Sequence, residues 1–197
     1  MKKVESRGER PFAPTKLRVK SKDKKNISAK AKKIKLLILD VDGVMTDGSI
    51  ILDNKGNEFK RFNVRDGHGI KMLGKAGIQT GIITGRKSKV VEIRARELGI
   101  TDVFQKVYKK SAVYEKLLKK YKCSDENVAF MGDDIVDVEL LRRAGLSAVP
   151  ADADEETKKY AHIKMKNNGG RGAVREFTDM ILKSAGLWEK VSGEFLG

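Results

Sequence analysis

The sequence predicts one α/β domain with a central parallel sheet and helices on both faces, and three observations carry that expectation. From Ile34 onward, short apolar runs alternate with amphipathic segments, the signature of strand–helix repeats. The run Leu36-Leu37-Ile38-Leu39 is apolar at every position, as a strand buried on both faces must be. Asp40, Thr84 and Asp133 each follow such a run, at the strand ends where open parallel sheets bind ligands.

The elements follow in order. After the first strand, Ser49 to Leu52 and Glu58 to Phe62 flank the turn-rich Asp53-Asn54-Lys55-Gly56-Asn57, which predicts a β-hairpin flap. Asp66 can cap a helix running to about Ala76, with Gly77 as its stop, before a buried strand over Ile78 to Ile83. A helix starts at Ser88, with Val91, Ile93 and Leu98 among its core-facing positions, and ends at Gly99; Asp102 to Phe104 is a short strand. Ser111 to Lys120 is a helix with Val113, Leu117 and Leu118 inward, and Asn127 to Met131 is the next strand. A helix from about Val136 to Ala144 leads to a strand over Leu146 to Val149. Beyond it come a short helix over Glu155 to Tyr160, a short strand over His162 to Met165, a glycine-rich loop and a helix over Ala173 to Ala185.

At 197 residues the chain suits one such domain and is too short for two with linkers. The expected division is a basic, disordered extension over residues 1–33, the folded unit over 34–186 and a weakly patterned tail over 187–197. Of the formal charge of +15, most sits at the front: Met1 to Lys35 hold 14 basic and 3 acidic residues. A solubilising extension is the plain reading, and nucleic acid, hinted at only by that basic segment, is not the expected partner. The single cysteine, Cys123, excludes an internal disulfide and multi-cysteine metal sites, which fits a reducing, cytoplasmic setting. No stretch reaches the roughly 18 apolar residues of a membrane span.

Leu39-Asp40-Val41-Asp42-Gly43-Val44 sets two carboxylates two residues apart where a strand opens into a loop, so both can face one pocket around a metal or a phosphoryl centre. Read alone, each feature has a plainer reading. The two aspartates also suit a solvated strand-end turn, Thr84-Gly85 turn chemistry, Gly132-Asp133-Asp134 a helix cap, and Gly169 to Gly172 a mobile linker. His68 and His162 are expected on helix surface and strand rather than as ligands.

Taken in order, the motifs resemble the haloacid dehalogenase superfamily: D-x-D-G-x at Asp40 to Val44, Thr84 after the second buried strand, a lysine at Lys110, and Gly132-Asp133-Asp134 with Asp137. The resemblance extends to the capless sugar-acid phosphatases acting on 3-deoxy-D-manno-octulosonate 8-phosphate. It spans Ile34 to Gly186 through Phe62-Asn63-Val64-Arg65-Asp66-Gly67, Ile82-Ile83-Thr84-Gly85-Arg86-Lys87 and Gly169-Gly170-Arg171-Gly172-Ala173-Val174-Arg175-Glu176. The lysine-rich front of the chain has no counterpart in that pattern.

The resemblance implies a Rossmann-like fold without a cap domain, and Mg²⁺ as cofactor. Asp40 and Asp133 would hold the ion through carboxylates and Asp42 through its backbone carbonyl, with Asp134 and Asp137 behind them. Asp40 would be the nucleophile, Asp42 the acid and base, and Thr84 and Lys110 the stabilisers of phosphoryl charge, Lys109 being an adjacent rival. Gly43, Gly85, Arg65, Arg86, Arg171 and Arg175 are the expected substrate contacts, because guanidinium forks read carboxylates. The expected activity is hydrolysis of that phosphate ester in lipopolysaccharide sugar synthesis by a homotetramer. The alternatives are a phosphatase of a nine-carbon sugar-acid phosphate, a nucleic-acid end phosphatase, and an idle oligomerisation module tied to a sugar nucleotidyltransferase pathway.

Overall fold

The computed structural model describes residues 21–196. Six parallel strands form the sheet: β1 (Leu36–Leu39), β4 (Gln79–Ile83), β5 (Asp102–Phe104), β6 (Val128–Met131), β7 (Leu146–Val149) and β8 (Ile163–Lys164), in the order β5-β4-β1-β6-β7-β8. β1 is therefore central, flanked by β4 and β6, which is why all four of its residues are buried. Its alternate side chains feed two cores. Leu37 and Leu39 pack on one face, Leu36 and Ile38 on the other.

The first face is covered by α1 (Ser21–Ala31), α2 (Val64–Lys75), α3 (Lys89–Leu98), α6 (Ala173–Ser184) and α7 (Trp188–Leu196); the second by α4 (Lys110–Tyr121) and α5 (Val138–Arg143). β2 (Ile51–Leu52) and β3 (Glu58–Phe59) pair antiparallel as the hairpin, shorter than the sequence pattern implies. Asp53 shapes its turn by accepting the backbone N–H groups of Lys55 and Asn57, each at 2.8 Å. Only residues 84–88 separate β4 from α3, and only the hairpin and its arms separate β1 from α2.

Several expectations need correction. The basic extension over residues 1–33 lies outside the described residues as far as residue 20, but its remainder is not disordered. Ile27 and Ala31, one helical turn apart, turn one face of α1 onto the core, and Lys30 Nζ donates to Gly145 O at 2.8 Å. The tail over 187–197 is largely helix as well: Val191 of α7 is buried, and Lys183 Nζ sits 4.4 Å above the Trp188 ring. α2 begins before Asp66, because Asn63 caps it by accepting from Arg65 N and Asp66 N. Ile93 faces solvent, and Tyr114, which no apolar pattern singles out, is fully buried in α4.

Candidate active site

The carboxyl ends of β1, β4 and β6 open into one cleft of about 350 Å³, lined by Asp40, Asp42, Thr84, Gly85, Arg86, Lys110, Asp133 and Asp134. Asp40 extends β1 by one residue, its N–H donating to Met131 O at 3.0 Å. The chain then coils tightly, with Val44, Met45 and Thr46 N–H groups all converging on Val41 O. Gly43 makes that coil feasible at φ +81°, a region open mainly to glycine.

After β6, two neighbouring aspartates part company. Asp134, exposed at the rim of the cleft, caps the next turn by accepting from Ile135 N at 2.7 Å, while Asp133 lies deeper in the cleft. Asp137, fully buried, braces both: its Oδ2 accepts from Asp133 N at 3.1 Å and Asp134 N at 3.5 Å.

Lys110, at the first turn of α4, links the two strand ends. Its Nζ lies 2.6 Å from Asp137 Oδ1 and 3.1 Å from Asp40 Oδ1, whereas Lys109 is exposed. Lys110 is accordingly the lysine of the cleft. Thr84 closes the floor, buried at the end of β4 with its N–H donating to Phe104 O at 2.9 Å.

Carboxylate oxygens of Asp40, Asp133 and Asp137 lie within 4.8 Å of one another. Burial, reinforced by Asp40, Asp137 and Asp134, pushes the Asp133 carboxyl up to about 8. Burial also lifts Asp40 to about 6; Lys110 opposes that rise and Asp137 adds to it. For Lys110 burial alone favours the neutral amine, but Asp40 and Asp137 outweigh it and hold the ammonium above its ordinary range. One cation among three carboxylates leaves the cluster short of positive charge.

Residues 87–177 match the family of haloacid dehalogenase-like hydrolases. The 3-deoxy-D-manno-octulosonate 8-phosphate phosphatase of Escherichia coli strain K12 is 44% identical over 169 residues, covering 86% of this chain and 90% of that one. The chain belongs to the haloacid dehalogenase-like hydrolases. Solved structures agree with that membership. The 3-deoxy-D-manno-octulosonate 8-phosphate phosphatase of Yersinia pestis superposes with a TM-score of 0.82 at 45% identity, over 83% of this chain and 89% of that one. The Moraxella catarrhalis enzyme of the same name, in complex with magnesium ion, phosphate ion and a KDO molecule, gives 0.84 at 38% identity, over 86% and 97%.

The donor set of this hydrolase fits a hard divalent cation. All three clustered side chains offer oxygen, and among the described residues Asp40 Oδ1 is buried with no well-aligned hydrogen-bond donor, the Lys110 ammonium standing beside it at 3.1 Å. Neither histidine joins the cluster: His68 is on α2, and His162 bonds Ser147 and Lys30.

The predicted substrate residues separate. Gly85 and Arg86 line the cleft, and Arg86 Nε approaches Asp42 Oδ2 at 3.7 Å. Gly43 serves instead as a spacer beneath Asp133. Within one chain Arg65, Arg171 and Arg175 lie apart from that cleft: they line a second pocket of about 350 Å³, with Arg175 paired to Asp179 at 2.6 Å and Arg171 3.7 Å from Asp47. What gathers them there is Asp66, which accepts from Gly172 N at 3.3 Å and Arg175 N at 2.7 Å and so clamps the start of α6 to α2. The glycine-rich loop is a packing element rather than a linker. A Cβ on Gly169 would lie 1.9 Å from Gly43 O, so the loop rests directly on the coil after β1.

Sequence reasoning missed Glu58, Lys60 and Ser88. Lys60 Nζ donates to Asp42 Oδ1, and Glu58 accepts from Ser88 Oγ and from Arg86 Nη2. Period-two alternation through β3 and the residue after it was the available signal, since it puts residues 58 and 60 on one side of the hairpin.

Proposed function

We propose that this hydrolase is a Mg²⁺-dependent phosphatase that cleaves 3-deoxy-D-manno-octulosonate 8-phosphate to the free sugar acid and phosphate. The observation that carries the reading is the convergence of Asp40, Asp133, Asp137 and Lys110 on one cleft. The activity borne in the names of the Escherichia coli and Yersinia pestis relatives supports the choice of substrate.

The carboxylates of Asp40 and Asp133 and the backbone carbonyl of Asp42 would hold Mg²⁺, which when bound would offset the repulsion between a phosphate dianion and a carboxylate nucleophile. An Asp40 oxygen attacks phosphorus in line, and the bond from phosphorus to the sugar oxygen breaks. Asp42 gives that departing oxygen a proton. Asp42 then takes a proton from water, whose oxygen attacks phosphorus, breaks the acyl-phosphate bond and frees phosphate. Throughout, Lys110 and the Thr84 hydroxyl stabilise charge on the phosphoryl oxygens, and Arg86 reads the sugar acid.

An idle oligomerisation module would not need this set: removing Lys110 alone would leave two buried carboxylates unpaired. Asp40→Asn tests the reading directly. The variant is expected to fold and to release no phosphate in the presence of Mg²⁺, and retained turnover would refute it.

The hairpin exposes Ile50, Ile51, Leu52 and Phe59, an apolar surface suited to other copies of the chain. A homotetramer joined through it is the proposed assembly, to be checked by light scattering; a monomeric mass would rule it out. Among the described residues no helix is long and apolar enough to cross a membrane, and the single cysteine supports a cytoplasmic setting.

A further inference from the structure

The hairpin presents its two sides to different surroundings. Phe59 is exposed, while Glu58 and Lys60 on either side of it turn toward the cleft, as the period of a strand requires. The Lys60 side chain is only 1% exposed. An ammonium so enclosed is strongly unfavourable unless paired.

Its pairing is specific. Lys60 Nζ bonds Asp42 Oδ1 and lies 3.4 Å from Glu58 Oε1. Glu58 accepts from Ser88 Oγ and, at 3.3 Å, from Arg86 Nη2; Arg86 Nε in turn stands 3.7 Å from Asp42 Oδ2. Two carboxylates and two cations thus close a ring along one wall of the cleft, and it joins the hairpin to the ends of β1 and β4.

Within that ring the residues differ in what they can reach. Arg86 lines the cleft and is open to a ligand, but Lys60 is too enclosed to touch one. What Lys60 controls is the orientation of Asp42. With Oδ1 engaged by Lys60, Oδ2 is the oxygen left on the side of Arg86 and the cavity.

We infer that Lys60 is a positioning residue for proton transfer: it holds the Asp42 carboxylate so that Oδ2 faces the leaving-group oxygen. The inference rests on the phosphatase reading, in which Asp42 protonates that oxygen as its bond to phosphorus breaks. It also gives the hairpin a part in the chemistry, because the lysine sits on the hairpin arm directly after β3 and is absent from the D-x-D loop itself.

The test compares two esters in single turnovers, so that hydrolysis of the acyl phosphate does not mask leaving-group release. One is an alkyl sugar phosphate, whose alkoxide needs a proton to depart; the other is p-nitrophenyl phosphate, whose phenolate leaves as a stable anion. Lys60→Met is expected to slow release from the alkyl ester about 10–100-fold at saturation, toward the low end of what a general acid contributes. The half-saturating concentration stays unchanged, and release from the aryl ester slows less than about threefold. Lys60→Arg, which keeps the charge and the donor, restores most of the alkyl rate.

Equal losses on both esters, or no loss on the alkyl ester, overturn the inference. If the methionine variant shows no cooperative thermal transition, Lys60→Gln carries the same comparison with the same overturning outcomes. Wild-type protein that releases phosphate from neither ester refutes the phosphatase reading instead, so the two failures are distinguishable.

Discussion

Gly43 and Asp133 meet so closely that a Cβ on residue 43 would lie 2.0 Å from Asp133 Oδ2. Gly43 in turn lies against Gly169, so three loops from distant parts of the chain are stacked at van der Waals distance behind the cleft. The placement of Asp133 is therefore set partly by two missing side chains.

Gly43→Ala should push Asp133 out of register with Asp40 as well as strain a φ of +81°. Displacing a reacting group by about 1 Å can cost ~10²-fold in rate, and the expected loss of phosphate release is of that order. The left-handed backbone adds a stability cost of about 1–2 kcal/mol, read by thermal denaturation.

The metal-free cluster predicts an unusual pH dependence. Asp133 and Asp40 have folded-state values raised to about 8 and about 6, so the unfolded chain gives up these protons more readily. The stability they contribute is present below the ordinary carboxylate range and is lost as pH rises from about 4 through about 8. Without metal, the melting temperature should carry this downward component, and the rise on adding Mg²⁺ should grow across the same interval. Asp133→Asn should raise the metal-free melting temperature at pH 8 and abolish most of the response to Mg²⁺. An unchanged Mg²⁺ response in that variant would place the ion elsewhere.

Arg86 is the arginine that shares the cleft with Asp42, and a charged hydrogen bond to a sugar-acid carboxylate contributes about 1.5–3 kcal/mol. Arg86→Ala should therefore raise KM for the sugar-acid phosphate about 10–100-fold, while KM for p-nitrophenyl phosphate moves far less. Steady-state kinetics on the two substrates provide the check.

Much of the site was legible because its signals are local. A buried parallel strand needs a continuous apolar run, so Leu36 to Leu39 announces where β1 ends and Asp40 begins, and Val128 to Met131 does the same for Asp133. Lys110 was legible through the motif order, but the choice against Lys109 required geometry, since consecutive residues at a helix start differ only in which way they point. α1 escaped because few apolar positions mark it and its helical state depends on a core built by other segments, whereas α7 does carry a helical spacing at Trp188, Val191, Phe195 and Leu196 that is short enough to pass for a tail.

The sequence by itself determined the strand order of chemistry: which runs are buried, where they stop, and that acidic and hydroxyl groups stand at those stops. Periodicity and turn chemistry act over a few residues, so they can be read without a fold. Only the tertiary structure decided that Arg171 and Arg175 share a pocket with Arg65 in this chain, and that Lys60 reaches Asp42 from the hairpin. Those pairings join residues far apart along the chain, and a charge carries no mark of which distant partner will satisfy it once water is excluded.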